Sequence, residues 1–110
     1  MTAYPPPFAV LVAMAPDGSV RVKVQGELDL STASELDETL RRETDAGRRI
    51  VIDLSETEFI DSTGLNTLIA ALRASDNNGG ALAVSPVLPA QVRRVLEITG
   101  LNKVLPVAAE

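Results

Sequence analysis

The 110-residue chain reads as a single α/β domain with a mixed β-sheet of about five strands and three or more helices, in the order β-β-α-β-α-β-α-β. Three patterns point that way. Val20, Val22 and Val24 alternate with Arg21, Lys23 and Gln25, the period of two expected of a strand with one wet face. Ile50-Val51-Ile52-Asp53-Leu54 is a β-branched run of the kind found in a strand covered on both faces. Leu65, Leu68, Ile69 and Leu72 recur at i, i+3, i+4 and i+7, one apolar stripe of an amphipathic helix. Alternation of strands with helices favours parallel pairing through crossovers, while the two opening strands predict an antiparallel pair.

Taken in order, Pro5-Pro6-Pro7 is stiff and cannot donate backbone hydrogen bonds, so residues 1–7 are expected to form a flexible Pro-rich tail and residues 8–110 the domain. The apolar stretch FAVLVAMA at 8–15 is rejected as a secretion signal, and Phe8–Met14 within it is read as a first strand. No Lys or Arg precedes it, and it is too short to span a bilayer, which predicts a cytoplasmic protein with no membrane partner. Pro16-Asp17-Gly18-Ser19 supplies the fixed and positive φ angles of a tight turn into the Val20 strand, making a hairpin. Thr32-x-x-Glu35 has capping-box spacing for a helix running to about Ala46, with Gly47 as its stop. The Ile50 strand follows, then the Leu65 helix, ending before Asn77-Asn78-Gly79-Gly80. A short strand at 81–84 comes next. Val92, Val95, Leu96 and Thr99 define a last helix, opened near Pro89 and closed at Gly100-Leu101 in the manner of a Schellman motif. A final short strand is expected at 104–107.

Composition removes whole classes of chemistry. The chain has no His and no Cys, which rules out Ser-His-Asp catalysis, phosphohistidine relays, disulfides and zinc sites of the Cys/His kind. A net charge of −5 argues against direct nucleic-acid binding, and 3% aromatic residues with no Trp leave no stacking platform for single strands. Basic partners suit this surface better. Nothing calls for a cofactor, and Asn77-Asn78-Gly79-Gly80 lacks the Lys-Ser/Thr of a phosphate-binding loop.

The stretch EFIDSTGLNTL at 58–68 places two hydroxyls and a glycine where a strand and loop give way to a helix. Asp61 or Ser62 can serve as N-cap, typically about 1 kcal/mol of stabilisation. Gly64 is out of place in a first helical turn on propensity grounds, which suggests close approach of another chain to a bare backbone. A helix N-terminus also favours negative charge, so a phosphate on Ser62 is tolerated by the fold while still disrupting an interface. Capping and modification both remain open on these residues alone.

The four segments Gly26-Glu27-Leu28-Asp29, Ile52-Asp53-Leu54-Ser55, Asp61-Ser62-Thr63-Gly64-Leu65 and the run VRRVLEITGL at 92–101, in this order, resemble a STAS domain, more narrowly the bacterial anti-sigma factor antagonists. The resemblance covers about residues 8–107. It implies a partner switch in which the unphosphorylated protein binds an anti-sigma factor serine kinase and frees its sigma factor. Phosphorylation on Ser62, with Thr63 as second choice, then ends the binding, and a PP2C-type phosphatase resets the cycle. It also implies a partner-binding surface of Asp29, Asp61, Ser62, Thr63 and Gly64, and a protein that is not an enzyme. Asp29 can equally be a turn or cap residue; Asp53 can orient the loop or satisfy backbone amides; Leu65 reads as core and Arg93-Arg94 as a solvated helix face. Two other readings are a non-switching STAS scaffold in a multi-protein sensory complex, and an enzyme using Ser62 as nucleophile or Asp29, Asp53 and Asp61 as Mg²⁺ ligands. The enzyme lacks a His to activate the serine.

Overall fold

The computed structural model describes residues 8–77 and 79–109. The Pro-rich tail expected at 1–7 lies outside them. Two strands open the domain, β1 (Ala9–Met14) and β2 (Val20–Leu28), followed by α1 (Ala33–Asp45), β3 (Ile50–Ile60), α2 (Ser62–Asn77), β4 (Leu82–Val84), α3 (Ala90–Thr99) and a 3₁₀ turn (Leu101–Lys103). The sheet order is β1-β2-β3-β4. The β1–β2 hairpin is antiparallel, and β2–β3 and β3–β4 are parallel, joined through α1 and α2.

The hairpin turn forms as its residues dictate. Gly18 sits at φ 86°, and the Asp17 carboxylate accepts from the Ser19 amide at 2.9 Å and its hydroxyl at 2.7 Å. Helix α1 begins differently from expectation. Thr32 occupies the cap position in a helical conformation and its side chain caps nothing. Its hydroxyl instead donates to the Glu27 carbonyl at 2.7 Å and accepts from the Asp29 amide at 2.9 Å, so the anticipated capping box with Glu35 does not form. The C-terminal ends match: Gly47 (φ 72°) follows α1 and Gly100 (φ 78°) closes α3.

Where about five strands were expected, the described residues form four. The segment at 104–107 contributes one bridge, Val107 to Val84, because Pro106 has no amide to extend a ladder and β4 already ends at Val84. Conversely, β3 is longer than its sequence suggests: no loop separates it from α2, only Asp61.

Two irregularities in the β2–β3 register explain that length. Pairing steps from Lys23–Asp53 to Gln25–Glu56, and from Gly26–Thr57 to Glu27–Phe59, so β3 carries one extra residue at each place. Each bulge turns the strand over once. Residues Ile50, Ile52 and Leu54 point inward, then Thr57, then Ile60, opposite the unbroken inward series Val20, Val22, Val24 and Leu28 of β2. Strict alternation from Ile50 would have buried Glu56 and Glu58 instead; both are exposed. Thr57, fully buried, donates its hydroxyl to the Val24 carbonyl at 2.9 Å across the first bulge.

Leu36 and Leu40 of α1, Leu65 and Leu68 of α2, and Val92 and Leu96 of α3 join these strand residues in one apolar core. Among the described residues, no helix is long and apolar enough to cross a membrane.

Candidate functional site

The C-terminal ends of parallel strands β2 and β3 meet the starts of α1 and α2, and there the chain gathers Asp29, Asp61, Ser62, Thr63 and Gly64. Asp61 is the junction. Its Oδ1 accepts the Gly64 amide at 3.0 Å, which caps α2, and its Oδ2 accepts the Leu30 amide at 3.2 Å, which ties down the loop after β2. Its own amide donates to the Leu28 carbonyl at 3.2 Å, and its carbonyl accepts from Leu65 at 2.9 Å. One residue therefore caps the helix, extends the strand contact and clamps the neighbouring loop.

That arrangement resolves which hydroxyl does what. Capping of α2 falls to Asp61, so Ser62, at the first position of the helix, is exposed and its hydroxyl makes no hydrogen bond among the described residues. Thr63 is half-buried, and its carbonyl accepts the Thr67 hydroxyl at 3.1 Å. Gly64 is buried, and the reason for its missing side chain is intramolecular rather than the approach of a partner. A Cβ there would lie 2.8 Å from Leu28 Cγ, 2.8 Å from the Leu28 carbonyl oxygen and 3.0 Å from Ile60 Cγ1. Close contact between the helix and the ends of both strands is what sets Ser62 at the surface.

The loop at 29–32 is held by its own side chains. Asp29 Oδ1 accepts from the Ser31 hydroxyl at 2.7 Å, the Ser31 amide at 3.0 Å and the Thr32 hydroxyl at 3.2 Å. The Ser31 hydroxyl foremost, with these other donors, holds the Asp29 carboxyl below its ordinary value, so it is a firm anion. Asp29 is thus a turn residue, in the loop that Asp61 clamps through the Leu30 amide.

Asp53 belongs elsewhere. It lies within β3, buried, with Oδ2 3.1 Å from Arg21 Nε and Oδ1 accepting the Ser55 amide at 2.9 Å. Burial alone would raise its pKa, but the Ser55 and Arg21 hydrogen bonds outweigh that and hold it below the usual value. It does not reach the α2 start, so the three carboxylates weighed as a magnesium set are not brought together; among the described residues no cluster of three or more such ligands occurs. Leu65 is core and Arg93 and Arg94 lie exposed on α3.

Leu30 escaped sequence reasoning. Leu28-Asp29-Leu30 reads as continued alternation that keeps both leucines on one face, but β2 stops at Leu28 and the Asp29 turn throws Leu30 outward, 79% exposed. The only warning in the sequence is Asp29-x-Ser31-Thr32, a cluster of residues that bond their own backbone.

The chain is similar to known proteins over most of its length. A family model described as "Mlab, STAS domain" matches residues 12–106. An anti-sigma-B factor antagonist of Staphylococcus aureus is 37% identical over 92 residues, covering 83% of this chain and 84% of that protein. An anti-sigma F factor antagonist of Paenibacillus polymyxa is 33% identical over 94 residues, covering 82% and 78%. The crystal structure of an anti-sigma factor antagonist from Mycobacterium paratuberculosis superposes with a TM-score of 0.83 at 31% identity, over 99% of this chain and 92% of that one.

Proposed function

The chain belongs to the STAS domain family, and from that premise we propose that it is an anti-sigma factor antagonist worked by phosphorylation of Ser62. In this reading the unphosphorylated chain binds an anti-sigma factor serine kinase and frees the sigma factor held by it. Transfer of the ATP γ-phosphate to the Ser62 hydroxyl, whose proton is lost, ends the interaction; a PP2C-type phosphatase hydrolyses the ester and restores the binding form. The chain is ligand and substrate throughout.

The observation that supports this most directly is the division of labour between Asp61 and Ser62. Because Asp61 caps α2, the Ser62 hydroxyl is exposed and spare, as a kinase substrate must be. The position also tolerates the product, since the N-terminus of a 16-residue helix stabilises negative charge. The partner's contact does not. A phosphate adds about −1.5 to −2 charges beside Asp61, and a penalty of about 3 kcal/mol at a desolvated contact weakens binding roughly a hundredfold.

Incubation with the purified anti-sigma factor kinases of the source bacterium and ATP, followed by intact-mass and fragment mass spectrometry, tests the reading. One phosphate is expected on the chain, retained in Thr63→Ala and lost in Ser62→Ala. Ser62→Ala itself should fold with wild-type stability, within about 0.5 kcal/mol, because the exposed hydroxyl has no partner among the described residues. A kinase that binds the chain tightly yet leaves it unmodified would leave the passive-scaffold reading standing in its place.

A further inference from the structure

We infer that Leu30 is the apolar anchor of the partner-binding surface, inserting into an apolar pocket on the anti-sigma factor whose rim is cationic; the inference rests on the proposed antagonist function and specifies the partner's side of that contact. Leu30 is the most exposed large apolar side chain among the described residues, at 79%. Isolated exposed leucines are ordinary, but this one differs in how it is held. Its amide is fixed by Asp61, the residue adjoining Ser62, and its flanks are fixed by the Ser31–Asp29 and Thr32–Glu27 hydrogen bonds. The loop is therefore already ordered before binding, and a side chain presented from an ordered backbone loses less entropy on docking than one on a free loop.

The charge around it describes the partner. Residues 24–40 and 50–72 contain no Lys or Arg and carry nine carboxylates in all. Asp53 and Glu56 are paired internally with Arg21 and Lys23. Glu27 and Glu58 are exposed at the same strand ends as Leu30, and Glu35 is exposed on the first turn of α1. An apolar centre with an acidic border calls for a complementary surface, an apolar pocket bordered by Lys and Arg. This division also reconciles the cationic rim with inhibition by phosphate: Ser62 adjoins the centre, where a phosphate must shed its water against apolar groups, rather than the rim.

The test uses the full chain and each purified anti-sigma factor that binds it, by calorimetry for affinity and surface plasmon resonance for association rate, with Leu30→Asp, Leu30→Ala and Leu30→Met. All three variants should melt with the wild type, since the side chain is in water. Leu30→Met is expected to bind as wild type, Leu30→Ala about tenfold more weakly, and Leu30→Asp at least about thirtyfold more weakly, as a buried leucine side chain implies. Raising ionic strength from about 0.05 to about 0.3 M should slow association of wild type and Leu30→Ala alike. Binding of Leu30→Asp at wild-type affinity overturns the anchor while leaving the antagonist reading intact. An association rate indifferent to salt overturns the cationic rim. Failure of wild type to bind any anti-sigma factor overturns both the inference and the function beneath it.

Discussion

Gly64→Ala sets two effects against each other, and the structure predicts which wins. Alanine in place of glycine within a helix ordinarily stabilises, by up to about 1 kcal/mol. Here the added methyl meets Leu28 Cγ and the Leu28 carbonyl oxygen at 2.8 Å and Ile60 Cγ1 at 3.0 Å. A leucine tip can rotate away. The carbonyl cannot, because it accepts the Asp61 amide and is part of the backbone that closes β2 against α2. Overpacking of this kind costs about 1–3 kcal/mol, and contact with immovable backbone puts it in the upper part of that range. Net of the helix gain, Gly64→Ala should lose about 1–2 kcal/mol. An unfolding entropy of about 0.23 kcal/mol/K for a chain of this length converts that to a fall of about 4–9 °C in Tm. Thermal melts followed by circular dichroism, with urea unfolding for comparison, measure it directly. A variant that melts at or above the wild-type temperature would refute the claim that this helix start is closed by internal contacts, and would return Gly64 to the role of a surface kept bare for a partner.

Asp61→Ala should lose about 1–2 kcal/mol in urea unfolding, since the Gly64 amide loses its cap and the Leu30 amide its clamp; Asp61→Asn should recover the cap but present an amide donor to one of these two donors, giving an intermediate midpoint. Unchanged stability of Asp61→Ala would contradict its place at the junction. For α1, Thr32→Ala is expected to cost about 1 kcal/mol or more while Glu35→Ala stays within about 0.5 kcal/mol, the reverse weighting from a capping box, and paired urea midpoints decide between them. Asp53 has its pKa held below the ordinary carboxylate value of about 3.9, so its contribution is present above that pH and is lost as pH falls through the depressed native value. Asp53→Asn should therefore lower stability at neutral pH by about 1–3 kcal/mol and flatten the acid limb of the stability profile; an acid limb as steep as the wild type's would show that other carboxylates carry it.

The alternation of elements, and the core apart from β3 beyond Leu54, follow from local periodicity and were legible residue by residue. The valines of β2, the leucine stripe of α2 and the φ demands of Gly18, Gly47 and Gly100 each operate within a few residues. The resemblance carried by Asp61-Ser62-Thr63-Gly64-Leu65 and its companion segments was equally legible, and the family match bears it out. The features that local pattern missed lie where two distant segments compete for the same groups. Asp61 rather than Ser62 caps α2, because the same carboxylate also reaches Leu30, 31 positions away in sequence. Thr32 turns from Glu35 to Glu27 and Asp29 because the end of β2 offers it better partners. The two bulges that keep Glu56 and Glu58 in water, and the narrow gap that only a glycine fits at position 64, exist because β3 must stay in register with β2 while delivering α2 against the Leu28 carbonyl. Periodicity counts residues along one chain segment. It cannot register where a second segment forces the count to slip, as at the two β3 bulges, or where a carboxylate such as Asp61 reaches across to the Leu30 amide.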